Sequence, residues 1–356
     1  MKKATLILAL MLTSNLILAQ EGESPKRETV FTGAADGYYK SSFNNTIDEF
    51  TSFTKSNKSF ELGMLSLNVA HKRGKASFVA DIGFGKRAKE FTYNDAPEFY
   101  MVRQLNMTYE ITDNLKVTGG SFPTHIGYEL VDAILNKNYG MSYAFTYGPF
   151  FNTGIKATYS IDKVSIMFGV VNPTDFKTAL EAGSNQKTFI GQLGYLGETG
   201  SAYFNFTSGS MNNNVGAPIA LNKINKTQFD FVASKSLNDV FNLGFNATYA
   251  IVNDDVDSNL DGNWYSLVGY AGCKFNDATS LNYRLEYFDD KDGVAAFANF
   301  KGANVLSNTL SLDYKVGNLT FIPEIRFDFS SKEVYSTENS VSKNNGSILF
   351  ATTYTF

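Results

Sequence analysis

Charged residues stand at every second position in two stretches near the C-terminal end of the chain. In Leu281-Asn-Tyr-Arg-Leu-Glu-Tyr287, the residues Asn282, Arg284 and Glu286 fall on the face opposite Leu281, Tyr283, Leu285 and Tyr287. Across 321–329, Glu324, Arg326 and Asp328 oppose Phe321, Ile325, Phe327 and Phe329, and Asp313 lies on the segment between the two. A charge at every second residue of a strand is costly in a dry core but natural on a wall that borders water. Two uses are open for these groups. They can pair across strands and stiffen the wall, or they can set up a field that orients polar solutes.

Other chemistry is sparse. Hydrolases that use a histidine base would have to draw on His71 or His125, the only two present. His71 adjoins Lys72-Arg73 at a short turn, and no serine–acid arrangement accompanies His125 in the sequence. Asp257-Ser-Asn-Leu-Asp-Gly262 reads as the first half of a calcium loop through Asp257, Asn259 and Asp261, but Val268 stands where the bidentate glutamate belongs. A solvated turn is the simpler account of that segment. No phosphate loop, zinc spacing, dinucleotide fingerprint or nucleic-acid motif is present, so no cofactor and no nucleic acid is expected. The expectation is a non-enzyme.

The elements that must position these charges are strands. The chain holds 31 Phe and 20 Tyr against 7 Pro and 1 Trp, with 29 Gly to supply turns. The lone Cys273 allows no internal disulfide. Met1-Lys2-Lys3, the apolar run Ala4–Leu18 and the small Ala19 have the anatomy of a secretory signal, here assigned to 1–20, with 21–356 as one domain. Beyond it no apolar run reaches the ~18 residues that a membrane helix needs. Export without a spanning helix points to a barrel, greasy outside and wet inside.

Alternating segments recur about every twenty residues, the weak signal of barrel strands. Phe241–Ile251 places apolar residues at odd positions and small or polar ones at even positions. Such segments number about sixteen, an even count as single-chain bacterial barrels require. Short turns, such as 72–74, 112–114, 161–162 and 317–318, alternate with long connections at 41–60, 85–100, 122–150, 173–186, 209–224, 253–262, 290–303 and 331–346. The fold expected is an all-β, transmembrane, antiparallel up-and-down barrel, with tight turns at the periplasmic rim and long loops outside. Sixteen strands enclose a water channel rather than a packed core.

The longest connection, 122–150, is too apolar to lie in bulk water and gains cover by folding into the lumen. Its ionisable groups His125, Glu129, Asp132 and Lys137 could line a constriction there. Equally, Glu129 and Lys137 could pin the loop to the wall, since buried charges need partners.

This region resembles the OmpL-like β-barrel porin family. The likeness rests on Gly33-Ala-Ala-Asp-Gly-Tyr-Tyr39, Gly120-Ser-Phe122, Gly127-Tyr-Glu129, Asn136-Lys-Asn-Tyr139, Ser142-Tyr-Ala-Phe145 and Gly148-Pro-Phe-Phe-Asn-Thr-Gly154. Gly140 and Asn152 depart from the serine and histidine expected at those places. The resemblance implies an outer-membrane pore without catalytic residues.

The last strand, 347–356, puts Ile348, Phe350, Thr352, Tyr354 and Phe356 on one face. An aromatic terminus of this kind resembles the signal read by the outer-membrane insertion machinery. The functional expectation is a porin of the Gram-negative outer membrane, in contact with lipid and lipopolysaccharide, that passes small hydrophilic solutes. The competing expectation is a closed barrel whose outer loops form a binding surface. Losing Lys2 and Lys3 with the signal takes the formal net charge from −4 to −6, which weakly favours cations.

Overall fold

The computed structural model describes residues 27–46, 50–179, 185–212 and 223–356; the expected export signal, 1–20, lies outside the described residues. Sixteen strands form one closed antiparallel barrel. In chain order they are β1 (Arg27–Ser42), β2 (Ser59–Arg73), β3 (Ala76–Phe84), β4 (Val102–Glu110), β5 (Leu115–Pro123), β6 (Phe151–Ile161), β7 (Val164–Val171) and β8 (Thr188–Leu196). There follow β9 (Gly200–Asn212), β10 (Lys223–Ser236), β11 (Phe241–Asp254), β12 (Gly262–Lys274), β13 (Thr279–Asp290), β14 (Ala303–Val316), β15 (Leu319–Ser330) and β16 (Asn344–Thr355). Each strand pairs with its sequence neighbours, and β16 closes the ring on β1 through pairs such as Tyr38↔Ala351. Up-and-down closure removes every sheet edge, which is the condition for placing strands in hydrocarbon.

The period-2 pattern decides which face is which. Phe204, Phe229 and Phe231 of β9 and β10 point outward and are 39–50% exposed, while their neighbours Asn205 and Asp230 are 1% exposed on the inner side. Outward rings pack across strands, as with Phe168–Phe189 and Phe321–Phe350, each pair worth roughly 0.2–1 kcal/mol. Inward polar groups satisfy one another. Gln192 donates to Asn205 at 2.8 Å, Asn205 to Asp230 at 2.8 Å, and Asn246 to the other Asp230 oxygen at 2.5 Å. This ladder runs across β8–β11 where an apolar row would sit in a soluble sandwich.

The short turns share a rim with the start of β1 and the end of β16. Gly74 and Gly317 take φ of 58° and 61° there, a region that side chains resist and tight hairpins require. At this rim the ends of the chain are tied together. Gly33 donates to the Phe356 carbonyl and Phe356 donates back, both at 3.0 Å. A Cβ on Gly33 would fall 2.2 Å from the tip of the Phe356 ring, so the glycine leaves the room that the terminal aromatic occupies.

Among the described residues two short α-helices lie in the long connections, which strand alternation marks only as connections. They are α1 (Lys86–Phe91) and α2 (Tyr143–Tyr147). At α2 the N-cap signal is local: the Ser142 hydroxyl accepts from Phe145 N at 3.0 Å. A two-residue hairpin, Tyr335–Ser336 with Val341–Ser342, stands in the last long connection.

Candidate functional site: the third loop and the lumen wall

Loop three, residues 124–150, leaves β5 and returns to β6, and Thr124 donates to the Phe150 carbonyl at 3.1 Å to close its neck. Between these points it crosses the interior of the barrel. The His125 Nε2 donates to the Phe206 carbonyl of β9 at 2.9 Å, and Gly127 N donates to Asp230 of β10 at 3.0 Å. Tyr128 stacks on Tyr270 of β12 with ring centres 4.2 Å apart. Gly244 makes room for it, since a Cβ there would lie 2.6 Å from the Tyr128 ring.

The alternating charges of β13 and β15 meet the loop directly. Arg284 donates to Glu129 Oε1 and to the Gly140 carbonyl, both at 2.6 Å. The other Glu129 oxygen accepts from Ser142 N and Oγ at 2.8 Å. Glu286 accepts from Tyr143 N at 2.9 Å and Ala144 N at 2.7 Å. Those are N–H groups that a helix start leaves without intrahelical partners, and a carboxylate is the favourable group to face them. Glu324 accepts from Tyr139 N at 2.8 Å and Gly140 N at 3.1 Å. Arg326 donates to the Met141 carbonyl at 2.7 Å and to Asp328 at 2.9 Å, and Asp328 also accepts from Tyr143 Oη at 3.2 Å. Arg284 and Glu286 are 0% exposed, and Glu129 is 4% exposed. Charges so far from water persist only when paired and hydrogen-bonded, and here opposite signs alternate along the wall against the loop backbone.

The remaining charges singled out in the sequence are placed separately. Asp132 meets Arg103 of β4, which also reaches Asp81 of β3 at 3.0 Å. Lys137 donates to Asn242 of β11. Asp313 stays on the wall, where it accepts from Ser280 at 3.2 Å and Asn282 at 3.0 Å, and its charge acts on Lys137 of the loop. Asp257 caps the turn Ser258–Leu260 by accepting from Asn259 N at 3.0 Å, whereas Asp261 turns to Asp254 N at 2.7 Å. Among the described residues no group of three or more His, Cys, Asp or Glu is placed to hold a metal ion. His71 bonds Thr29 at 2.8 Å on an exposed face.

Several contributors were not singled out in the sequence. Asp36 of β1 accepts from Tyr139 Oη at 2.6 Å. Arg87 of α1 lies 5.0 Å from the ring centres of both Phe53 and Tyr139. Asp175, in the connection after β7, accepts from Phe150 N at 2.6 Å and Phe151 N at 3.1 Å. A signal existed for Asp36, which stands inside the quoted Gly33–Tyr39 block; for Asp175 none did. The apolar part of the loop packs with Phe53, Phe91, Phe145, Phe150 and Phe151 in one cluster. Tyr143 joins Trp264, Phe288, Phe297 and Tyr335 in another.

Burial shifts the protonation of the loop groups. It pushes the His125 imidazole down to about 4, reinforced by the nearby Lys156 charge, so the ring is neutral at ordinary pH. It pushes the Tyr128 hydroxyl up to about 12 and lowers the Lys137 ammonium. Burial also raises Asp175 to about 6 against the pull of its two backbone donors.

A closed barrel with lipid-facing aromatics outside and a long loop folded within defines an outer-membrane protein of the porin class. The chain belongs to the family described as "Putative beta-barrel porin-2, OmpL-like", which matches residues 28–356. No curated protein matches the sequence. Among solved structures, an anion-selective porin from Comamonas acidovorans is similar at 10% identity and a TM-score of 0.62, with 93% of this chain and 100% of that one covered. OmpT, an outer membrane protein of Vibrio cholerae, is similar at 12% identity and a TM-score of 0.59, covering 94% and 99%. OprB of Pseudomonas putida is similar at 11% identity and a TM-score of 0.60, covering 92% and 94%. These likenesses concern the fold. Family membership makes the chain a channel-forming porin of the Gram-negative outer membrane, set among its lipids and handling small solutes.

Proposed function

We propose that the barrel is a passive, weakly selective diffusion channel for small hydrophilic solutes, with loop three setting its narrowest point. The observation that carries this reading is the path of the loop across the lumen, from its neck at β5 and β6 to the opposite wall. Its backbone is fixed to β13 and β15 by Glu286, Glu324 and Arg326, while on β5 and β6 the lumen face keeps partly exposed polar residues such as Lys116, Lys156 and Thr158. Glu129 and Asp132 then serve to hold the loop, and the half-buried Lys137 borders the passage. Arg284, Glu286, Glu324, Arg326 and Asp328 act as anchors rather than as a solute-facing ladder. A neutral His125 tied to a backbone carbonyl supports a protein without catalysis. Residues 1–20 act as the export signal, and Phe356 is the group that the insertion machinery reads.

Solute swelling of liposomes tests the constriction. Deleting 125–145 is expected to raise permeability and the size cut-off; unchanged values would remove loop three from that role. A second reading has its own support, because the outer loops bring Phe53, Phe297 and Tyr335, each 0–2% exposed, over the interior. A barrel shut in this way would serve as a surface protein. Planar-bilayer recording separates the two: folded protein that carries no current favours the closed barrel.

A further inference from the structure

The β5–β6 side of the lumen carries a charge that the loop does not use. Lys156 on β6 stands directly opposite Thr118 on β5, and Lys116 on β5 stands opposite Glu110 on β4. Thr118 is buried on the inner face, whereas Ile155, next to Lys156, is 55% exposed on the lipid side. Strand alternation therefore turns both lysines inward. The Lys156 ammonium lies 4.1 Å from the centre of the Phe122 ring, and among the described residues no carboxylate comes within 4.0 Å of it. Its charged neighbour is Lys116. Glu110, the carboxylate that faces Lys116, is shared between it and Lys72, which it meets at 2.7 Å, so the unmatched charge is that of Lys156.

The same cross-strand row continues from Lys156 through Gly169 and Ile190 to Thr207 and Gln228. Thr207 Oγ1 and Gln228 Oε1 have no hydrogen-bond partner in the protein, although these residues are 5% and 0% exposed. Asn152, 1% exposed and on the same strand as Lys156, leaves both amide atoms unpartnered. Buried polar atoms normally find a partner, so these orphaned groups on the inner wall mark places where water or a polar solute is accommodated. Charges on the outer surface act weakly here, since screening at physiological salt takes hold within about 8 Å.

We propose that Lys156, with Lys116 beside it, makes this side of the lumen an anion-selecting path that favours small anions over cations. The formal net charge of the whole chain has the opposite sign, but selectivity follows the charges that line the passage. This assignment rests on the channel reading above and adds the solute class to it.

The test uses the full barrel in planar bilayers under a potassium chloride gradient. The wild-type reversal potential is expected on the chloride-selective side. Lys116→Gln with Lys156→Gln is expected to move it toward potassium, and Lys156→Arg to leave it in place. Heat-modifiable gel mobility reports whether each variant is folded. A wild type that prefers potassium or shows no preference overturns the assignment whether or not the variants fold. A folded double variant with the wild-type reversal potential overturns it as well. Absence of current from folded wild type instead removes the channel reading, and with it this one.

Discussion

Arg284 Nη1 and Glu129 Oε1 meet at 2.6 Å across a sequence separation of 155 residues, with the arginine side chain 0% and the glutamate side chain 3% exposed. One partner belongs to the wall and the other to loop three. The pair is one of the points at which loop three is tied to the wall.

Removing one partner strands the other. Glu129→Ala is expected to destabilise the folded barrel by about 3–5 kcal/mol, because the Arg284 charge is left buried without its counter-charge. Replacing both by methionine is expected to recover a large part of that loss, as apolar packing replaces the pair. Urea unfolding in lipid or detergent compares the variants; a double replacement no more stable than Glu129→Ala would show that the pair is not the source of the loss.

Glu286 holds two backbone donors of α2 and accepts from Ser266 Oγ at 2.9 Å. Its change to Ala leaves these donors unmet at about 1–3 kcal/mol each, offset by whatever water enters. The expected result is a looser loop, visible as larger and noisier single-channel conductance than wild type. Unaltered conductance in folded protein would mean that Glu286 does not hold the loop.

Gly140 has space for hydrogen only. A Cβ there would sit 2.7 Å from Glu324 Oε1, so Gly140→Ala must push the carboxylate away from Tyr139 N and Gly140 N. Overpacking of this kind costs about 1–3 kcal/mol, and increased protease access to loop three is expected. Protection equal to wild type would show that Glu324 can shift without loss.

Asp175 gives a pH signature. Its carboxyl is held at about 6 when folded, above the ordinary value of 3.8, so the folded state binds the extra proton between these limits. Stability from this group therefore increases as pH falls from about 6 toward 4 and is lost as pH rises through the same window. Asp175→Asn is expected to flatten this part of the profile. Thermal unfolding between pH 4 and pH 7 measures it, and an identical slope in the variant would assign the titration elsewhere.

The burial that keeps His125 neutral predicts that conductance does not respond to this ring between about pH 5 and pH 8. Comparing His125→Gln with wild type over that range checks the point; a pH step present only in wild type would place a charged imidazole in the passage.

Much of this architecture was legible in the chain itself. Alternation in Phe241–Ile251, Leu281–Tyr287 and Phe321–Phe329 marks β11, β13 and β15, and the apolar 122–150 marks the loop that enters the lumen. Strand alternation is a local property with a period of two, imposed wherever lipid lies on one face and polar groups on the other, so it survives without any knowledge of partners. Short turns and long loops follow from the same count.

What Arg284, Glu286, Glu324 and Arg326 do is of another kind. Read along the chain, they are inward charges that suit either a solute-facing ladder or a set of anchors. Their partners in the loop lie between 142 and 185 residues away, as with Ala144 to Glu286 and Tyr139 to Glu324. Those distances close only once the barrel register fixes the height of each strand and the loop takes its path across the lumen. The sequence by itself determined a membrane barrel with polar charges turned inward and one apolar loop in need of cover. Only the tertiary structure decided which of those charges are consumed in holding the loop and which, such as Asp313, pair along the wall instead, because burial and pairing are set by what arrives from distant strands.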